Sequence, residues 1–304
     1  GVRDAKVVFH MEAAEPSTVA FHNLGITNPV FTRNFMCGLA IIMTAQMLWI
    51  VCFYLPFAYY VCAFSYASGD EPDTTGRLIF SLIVVVGNQF MYQVCAHVAN
   101  SAGYWFTDTC MACYTVLYTA TCFINIVVDL GITAVLTYRT MVGFGAHMID
   151  GRPLQKAASE HEVYEEYSIQ RALGLQTWQY NFPSTFLIPF VGECLGGIIL
   201  IRHLMVLLVR AHGEMSTRRS QQALAVFIPM DLGRYADLIL NVSLSTMSFC
   251  FASGYIVRTF MALAVCHLMV LIYDHYRVLR CVPAFIYSSD LIERCAQAVL
   301  GVPC

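Results

Sequence analysis

An all-α, polytopic transmembrane helix bundle of about six spans, one of them kinked and glycine-hinged, is the fold this sequence predicts. Three observations predict it. The 304-residue chain is 58% hydrophobic and only 12% charged, against roughly 25% charged residues in soluble domains. Its apolar residues gather in runs near the ~20 residues that cross a bilayer as a helix, separated by charged or Gly- and Pro-containing connectors. Its 13 cysteines lie mostly inside those runs, as small buried apolar side chains do.

Residues 1–34 are mixed and polar. They read as a cytosolic linker, the end of a missing cytosolic domain, in a chain that is a fragment or a processed product. Residues 35–280 form the bundle. The first span is 35–66, with Pro56 in its second half as a kink. The acidic loop Gly69-Asp-Glu-Pro-Asp73 follows. The second and third spans are 78–98 and 110–136. A connector at 139–181 is long for a bundle and contains a predicted outer helix at 157–174. Ser159 and Glu162 make a capping-box pattern, Val163, Tyr164 and Tyr167 a partial apolar stripe, and Gly174 a stop. That helix either lids the outer mouth or packs on the bundle. The fourth span, 183–209, is broken by Pro189, Gly192, Gly196 and Gly197. The fifth and sixth are 235–251 and 255–273. The tail 281–304 is semi-apolar and carries Asp290, Glu293 and Arg294; its relation to the membrane stays open. Arg33, Arg210, Arg218, Arg219, Arg277 and Arg280 flank spans on one side, which the excess of positive charge assigns to the cytosol.

A net charge of −3 without a basic run argues against a nucleic-acid partner. No HExxH, GxSxG or Walker loop occurs, so no enzyme is read, and no cofactor is expected. Cys110-Met-Ala-Cys113 is a lone CxxC with no second pair. His97, His203, His212, His267 and His275 fall at no ligand spacing. Asn241-Val-Ser243 matches a glycosylation acceptor but lies inside a span.

The informative residues are polar groups at membrane depth, where lipid satisfies none of them. Glu193 stands between the helix breakers of the fourth span, and an intramembrane acid marks a pathway by default. Asn88, Gln89 and Tyr92 interrupt the second span. Asn125 and Asp129 are four apart in the third, and Asp237 and Asn241 repeat that spacing in the fifth, so each pair shares a helix face. The set reads either as a hydrophilic pathway with Pro189, Gly192, Gly196 and Gly197 as its hinge, or as interhelical hydrogen bonding. Glu193, Asp129, Asp237 and Asn241 offer oxygens to a hard cation, but no spacing brings them to one point; the metal is unknown.

Several short segments carry a family resemblance. Ala5-Lys-Val-Val-Phe9, then Ala14-Glu-Pro, Phe21-His-Asn-Leu24 and Arg33, then Phe123-Ile-Asn125, the 183–209 helix and Leu232-Gly-Arg-Tyr-Ala236 resemble the OSCA/calcium-permeable stress-gated cation channel family, related to the anoctamins. The resemblance implies a mechanosensitive or osmosensitive, Ca²⁺-permeable cation channel with a pore in each subunit of a homodimer. Its partners would be the lipid bilayer and cations. The alternatives are a lipid scramblase on the same scaffold, or a non-conducting structural subunit of a membrane assembly.

Overall fold

A computed structural model describes residues 16–56, 74–148, 150–156, 160–186, 192, 200–224, 234–280 and 289–301. Among these residues the chain is all-α, with two isolated β-bridges and no strand. Four helices are long and apolar enough to cross a membrane: Asn28–Tyr54, Ser81–Ala102, Thr107–Gly143 and Ile256–Tyr276. Ala236–Cys250 is a shorter apolar helix.

Helix α1 (Asn28–Trp49) begins seven residues before the predicted start of the first span. Pro29 explains the difference, because its fixed φ and missing N–H suit the first helical turn. The helix then widens into a π-helical turn, Ile50–Tyr54, closed by the Leu55 N–H on the Ile50 carbonyl. Pro56 follows. A proline ring clashes with the carbonyl four residues back, and a widened turn is one way to relieve that clash. The rest of the predicted span lies outside the described residues.

Helix α2 (Thr74–Ala102) returns along α1 at close range. Gly87 makes the approach feasible: a Cβ there would stand 2.6 Å from the Trp49 ring. Gly38 of α1 packs in the same way against Val98. Gly103, at φ +95°, turns the chain into α3 (Thr107–Gly143), and only glycine takes that conformation freely. The preceding 16–27 segment is pinned to this turn: the Asn23 side chain donates to the Tyr104 carbonyl (2.7 Å) and the Ala20 N–H to the Trp105 carbonyl (2.8 Å). The 37 residues of α3 extend about 55 Å, well beyond a ~30 Å hydrocarbon core.

The predicted outer helix resolves into α4 (Glu160–Tyr164) and α5 (Tyr167–Gln179), and Ser159 lies outside the described residues. Gly174 does not stop α5. It is buried within the helix, against the Ser253 side chain, so its lack of a side chain serves close packing. Ile169, Leu173, Gln176 and Thr177 share a buried face of α5, which lies on α3. Gln170, at the edge of that face, donates to the Tyr164 carbonyl (2.8 Å) and accepts from the Ala252 N–H (3.0 Å). This helix is a packed part of the bundle.

The chain continues as a wide turn, Tyr180–Thr185, bent at Phe182 (φ −128°, ψ 127°); a residue before proline is steered out of helical geometry. The Ser184 and Thr185 hydroxyls donate to the carbonyls of Gln179, Tyr180 and Asn181 at 2.7–3.1 Å, satisfying backbone that the bend would orphan. Helices α6 (Ile201–Ala211) and α7 (Thr217–Leu224) follow. Then α8 (Arg234–Met247) packs on α3, and α9 (Ile256–Arg280) on α8. The Cys266 thiol donates to the Phe186 carbonyl (3.0 Å), tying α9 to the bend.

The tail question has a partial answer. Helix α10 (Leu291–Leu300) packs between α3 and α8. Its approach is fixed by Asp108, whose Oδ2 accepts from the Ser289 N–H (2.8 Å) and hydroxyl (3.1 Å). The outward faces of α1 and α9 are apolar instead: Met43, Met47, Leu48 and Val51 on one and Met261, Val265, Leu268 and Ile272 on the other are exposed. Apolar surface on that scale is what a bilayer covers.

Candidate functional site

The site begins with the spacing on α3. Asn125, Asp129, Thr133 and Thr137 recur every four residues and are all buried, with Asp129 only 1% exposed. Positions four apart share one helix face, so the four make a polar ladder about 18 Å long. Across from it stand Gln176 of α5, Tyr180 at the start of the wide turn, and Tyr54 at the end of the π-helical turn.

One hydrogen bond crosses this seam with good geometry: the Gln176 side chain donates to Asp129 Oδ2 at 2.9 Å. The Tyr54 and Tyr180 phenols meet edge to face at 6.2 Å between ring centres and both lie near the same carboxylate. On the ladder itself Asn125 Oδ1 and Thr133 Oγ1 are buried without a protein partner of good geometry, and on the following segment so are Gln179 Nε2 and both Oδ1 and Nδ2 of Asn181. A buried unmade hydrogen bond costs about 1–3 kcal/mol. Two of them flanking an acid on one helix face call for a reason beyond packing. The chemistry of the cluster is that of oxygen and amide dipoles around one acid, suited to water or a weakly held cation and unsuited to a soft metal.

A second polar contact links α3 to α8. Tyr118 donates to Asp237 Oδ1 at 3.0 Å, and its ring stacks on Tyr114 (5.8 Å, 9°), with Tyr92 of α2 edge-on to both. Asn241, one turn beyond Asp237, is 1% exposed and its Nδ2 lacks a partner. Ser243 is buried too, so the glycosylation pattern is no surface acceptor.

The sequence-predicted residues thus fall in three places. Asn125 and Asp129 lie in the seam, Asp237 and Asn241 on α8, and Tyr92 between α2 and α3. Asn88 is half-buried, while Gln89 is exposed on the outer face of α2, one turn from the equally exposed Gln93. Glu193, Pro189, Gly196 and Gly197 lie outside the described residues. Gly192 is helical and exposed. Among the described residues no group of three His, Cys, Asp or Glu side chains converges as for a metal ion. The carboxylates of Asp129 and Asp237 are engaged by different partners.

Sequence reasoning missed the other wall of the seam. Gln176 and Tyr180 sit in what reads as a polar connector, where polarity carries no signal. The signal was the periodicity: Ile169, Leu173 and Gln176/Thr177 repeat at three- and four-residue intervals, the pattern of a helix with one buried face. Compared with protein-family models, curated proteins and solved structures, the chain matches none of them.

Proposed function

We propose that the chain is the pore-region portion of an integral membrane cation channel gated by membrane tension or osmotic stress. It crosses the membrane about six times, with the broken 183–209 segment as its hinged span. The buried polar seam carries this reading: it is a ladder of polar side chains, Asn125, Asp129, Thr133 and Thr137, on one buried face of α3, at a depth where lipid offers no compensation. Polar groups so placed mark ion and substrate paths, and an acid in the path favours cations over anions. Tension acts on such a protein by favouring the state of larger in-plane area. Resemblance to the OSCA family supports the same reading and adds Ca²⁺ permeation, a homodimer and Glu193 as a second acid of the path.

The test is current under stepped suction from the protein in liposomes, with asymmetric cations across the patch. A tension-gated current whose cation preference falls in Asp129→Asn supports the proposal. Silence at all tensions, or currents indifferent to that substitution and to Glu193→Gln, sinks it. A second reading rests on a different observation: Gln89 and Gln93 present amides on the exposed face of an apolar helix, as a headgroup track of a lipid scramblase would. Transfer of fluorescent lipid between leaflets without current supports that reading. Absence of both activities leaves a structural subunit.

A further inference from the structure

Flanking the seam on α3, between that helix and Leu55 and Pro56 of the first span, lies a groove of about 820 Å³. That is within the roughly 300–1,000 Å³ of small-molecule pockets. Its walls are apolar: Leu55 from the first span, and Val128, Ile132 and Val135 from α3. Its floor opens at Gly131, where a Cβ would meet nothing within 4 Å. One charged residue lines it, Arg139, and among the described residues Arg139 makes no hydrogen bond or ion pair.

We propose that this groove binds a membrane phospholipid, with one acyl chain along the α3 wall and the headgroup phosphate on Arg139. Charge and depth select that occupant. The eight residues from Gly131 to Arg139 rise about 12 Å, close to the ~15 Å depth of one leaflet's hydrocarbon, half of a ~30 Å core. A chain lying over Gly131 therefore brings its phosphate level with the guanidinium. The planar fork of arginine matches phosphate oxygens in pairs, and among the described residues no acid lines the groove to compete for it. A helix of a second copy would fill the apolar part and leave the cation unmatched.

The inference rests on the membrane placement proposed above and not on conduction. Its test uses the whole chain in nanodiscs containing a phosphatidylcholine with a photoreactive acyl chain, with a photoreactive diacylglycerol as the probe lacking phosphate. Cross-links are mapped by mass spectrometry. The expected result is phospholipid label at 128–136 that exceeds the diacylglycerol label. Arg139→Gln lowers it on the order of ten-fold, the ratio for losing about 1.4 kcal/mol, and Arg139→Lys lowers it less. Gly131→Trp, which enters open space, blocks both probes. Equal labelling by the two probes, or label unchanged in Arg139→Gln, overturns the proposal in favour of ordinary annular lipid. Protein–protein cross-links at these positions in place of lipid overturn it in favour of a second copy. Failure of both probes to label even the exposed faces of α1 and α9 overturns the membrane placement itself.

Discussion

Replacing Gln176 by Leu removes the donor that crosses the seam and leaves side-chain volume nearly unchanged, so packing contributes little to the outcome. Two magnitudes compete. Interhelical hydrogen bonds in membranes average about 0.6 kcal/mol, because the unfolded helices find other partners. A bond to a buried carboxylate is worth about 1.5–3 kcal/mol, because its loss leaves the acceptor uncompensated. The structure decides between them. Asp129 is 1% exposed, Gln176 supplies the bond to its Oδ2 at 2.9 Å, and the Tyr180 phenol beside it is the one other polar group among the described residues that shares the charge. Gln176→Leu should therefore cost about 2–3 kcal/mol. Asp129→Leu should cost about 1–3 kcal/mol by stranding the Gln176 amide. The double variant should come out near either single one or better, since replacing both partners by apolar groups is nearly neutral. The assay is a double-mutant cycle read by far-ultraviolet circular dichroism during titration of mixed micelles with a denaturing detergent. Additivity within about 0.5 kcal/mol would refute the reasoning, by showing that the two groups do not depend on each other. The same double variant separates structure from function: stability regained with cation preference lost is expected if Asp129 serves permeation.

Three further outcomes are expected from the packing around these helices. Gly87→Val should destabilise by about 1–3 kcal/mol through overpacking against Trp49, whereas Gly131→Ala, in open space, should not; paired detergent titrations check this. Tyr118→Phe should cost about 1 kcal/mol, less than Gln176→Leu because Asp237 is only half-buried, and the same titration ranks the two. Asp108→Ala should release α10 and raise protease cleavage before Leu291, seen on a gel. Ser289→Ala should do so less, because its N–H still donates to Asp108.

Hydropathy made α1, α2, α3 and α9 legible, because bilayer thickness imposes a length that no other constraint imitates. Asn125 and Asp129 were legible for a related reason: strongly polar residues are rare at that depth. Thr133 and Thr137 continue the same ladder, yet threonine is common in apolar helices because it can bond its own backbone there, so its presence in the sequence conveys little even where, as at Thr133, that bond is not made. The start of α1 was read late because Asn28 to Arg33 is too polar for a hydropathy window, while Pro29 sets the helix boundary by geometry. Gly174 looked like a stop because glycine usually is one; close contact with Ser253 depends on a distant turn that no local pattern reveals. The Asp108–Ser289 contact joins residues 181 apart in sequence, and neither side chain is unusual where it stands.

The polar seam and the irregular backbone meet in one place. A regular helix consumes its own N–H and C=O groups and leaves side chains free to pair with one another. Here the backbone departs from regularity twice, at Ile50–Tyr54 and at Tyr180–Thr185, and the two turns meet through Tyr54 and Tyr180 beside Asp129. At the second, the Ser184 and Thr185 hydroxyls are spent on backbone carbonyls. The turn is thus held by its own side chains, and Tyr180 at its start is the residue through which a change in the turn would act on Asp129. On the channel reading, that is the contact for membrane tension to bias; on a purely structural reading, a sequence free to choose apolar residues here would gain stability by doing so.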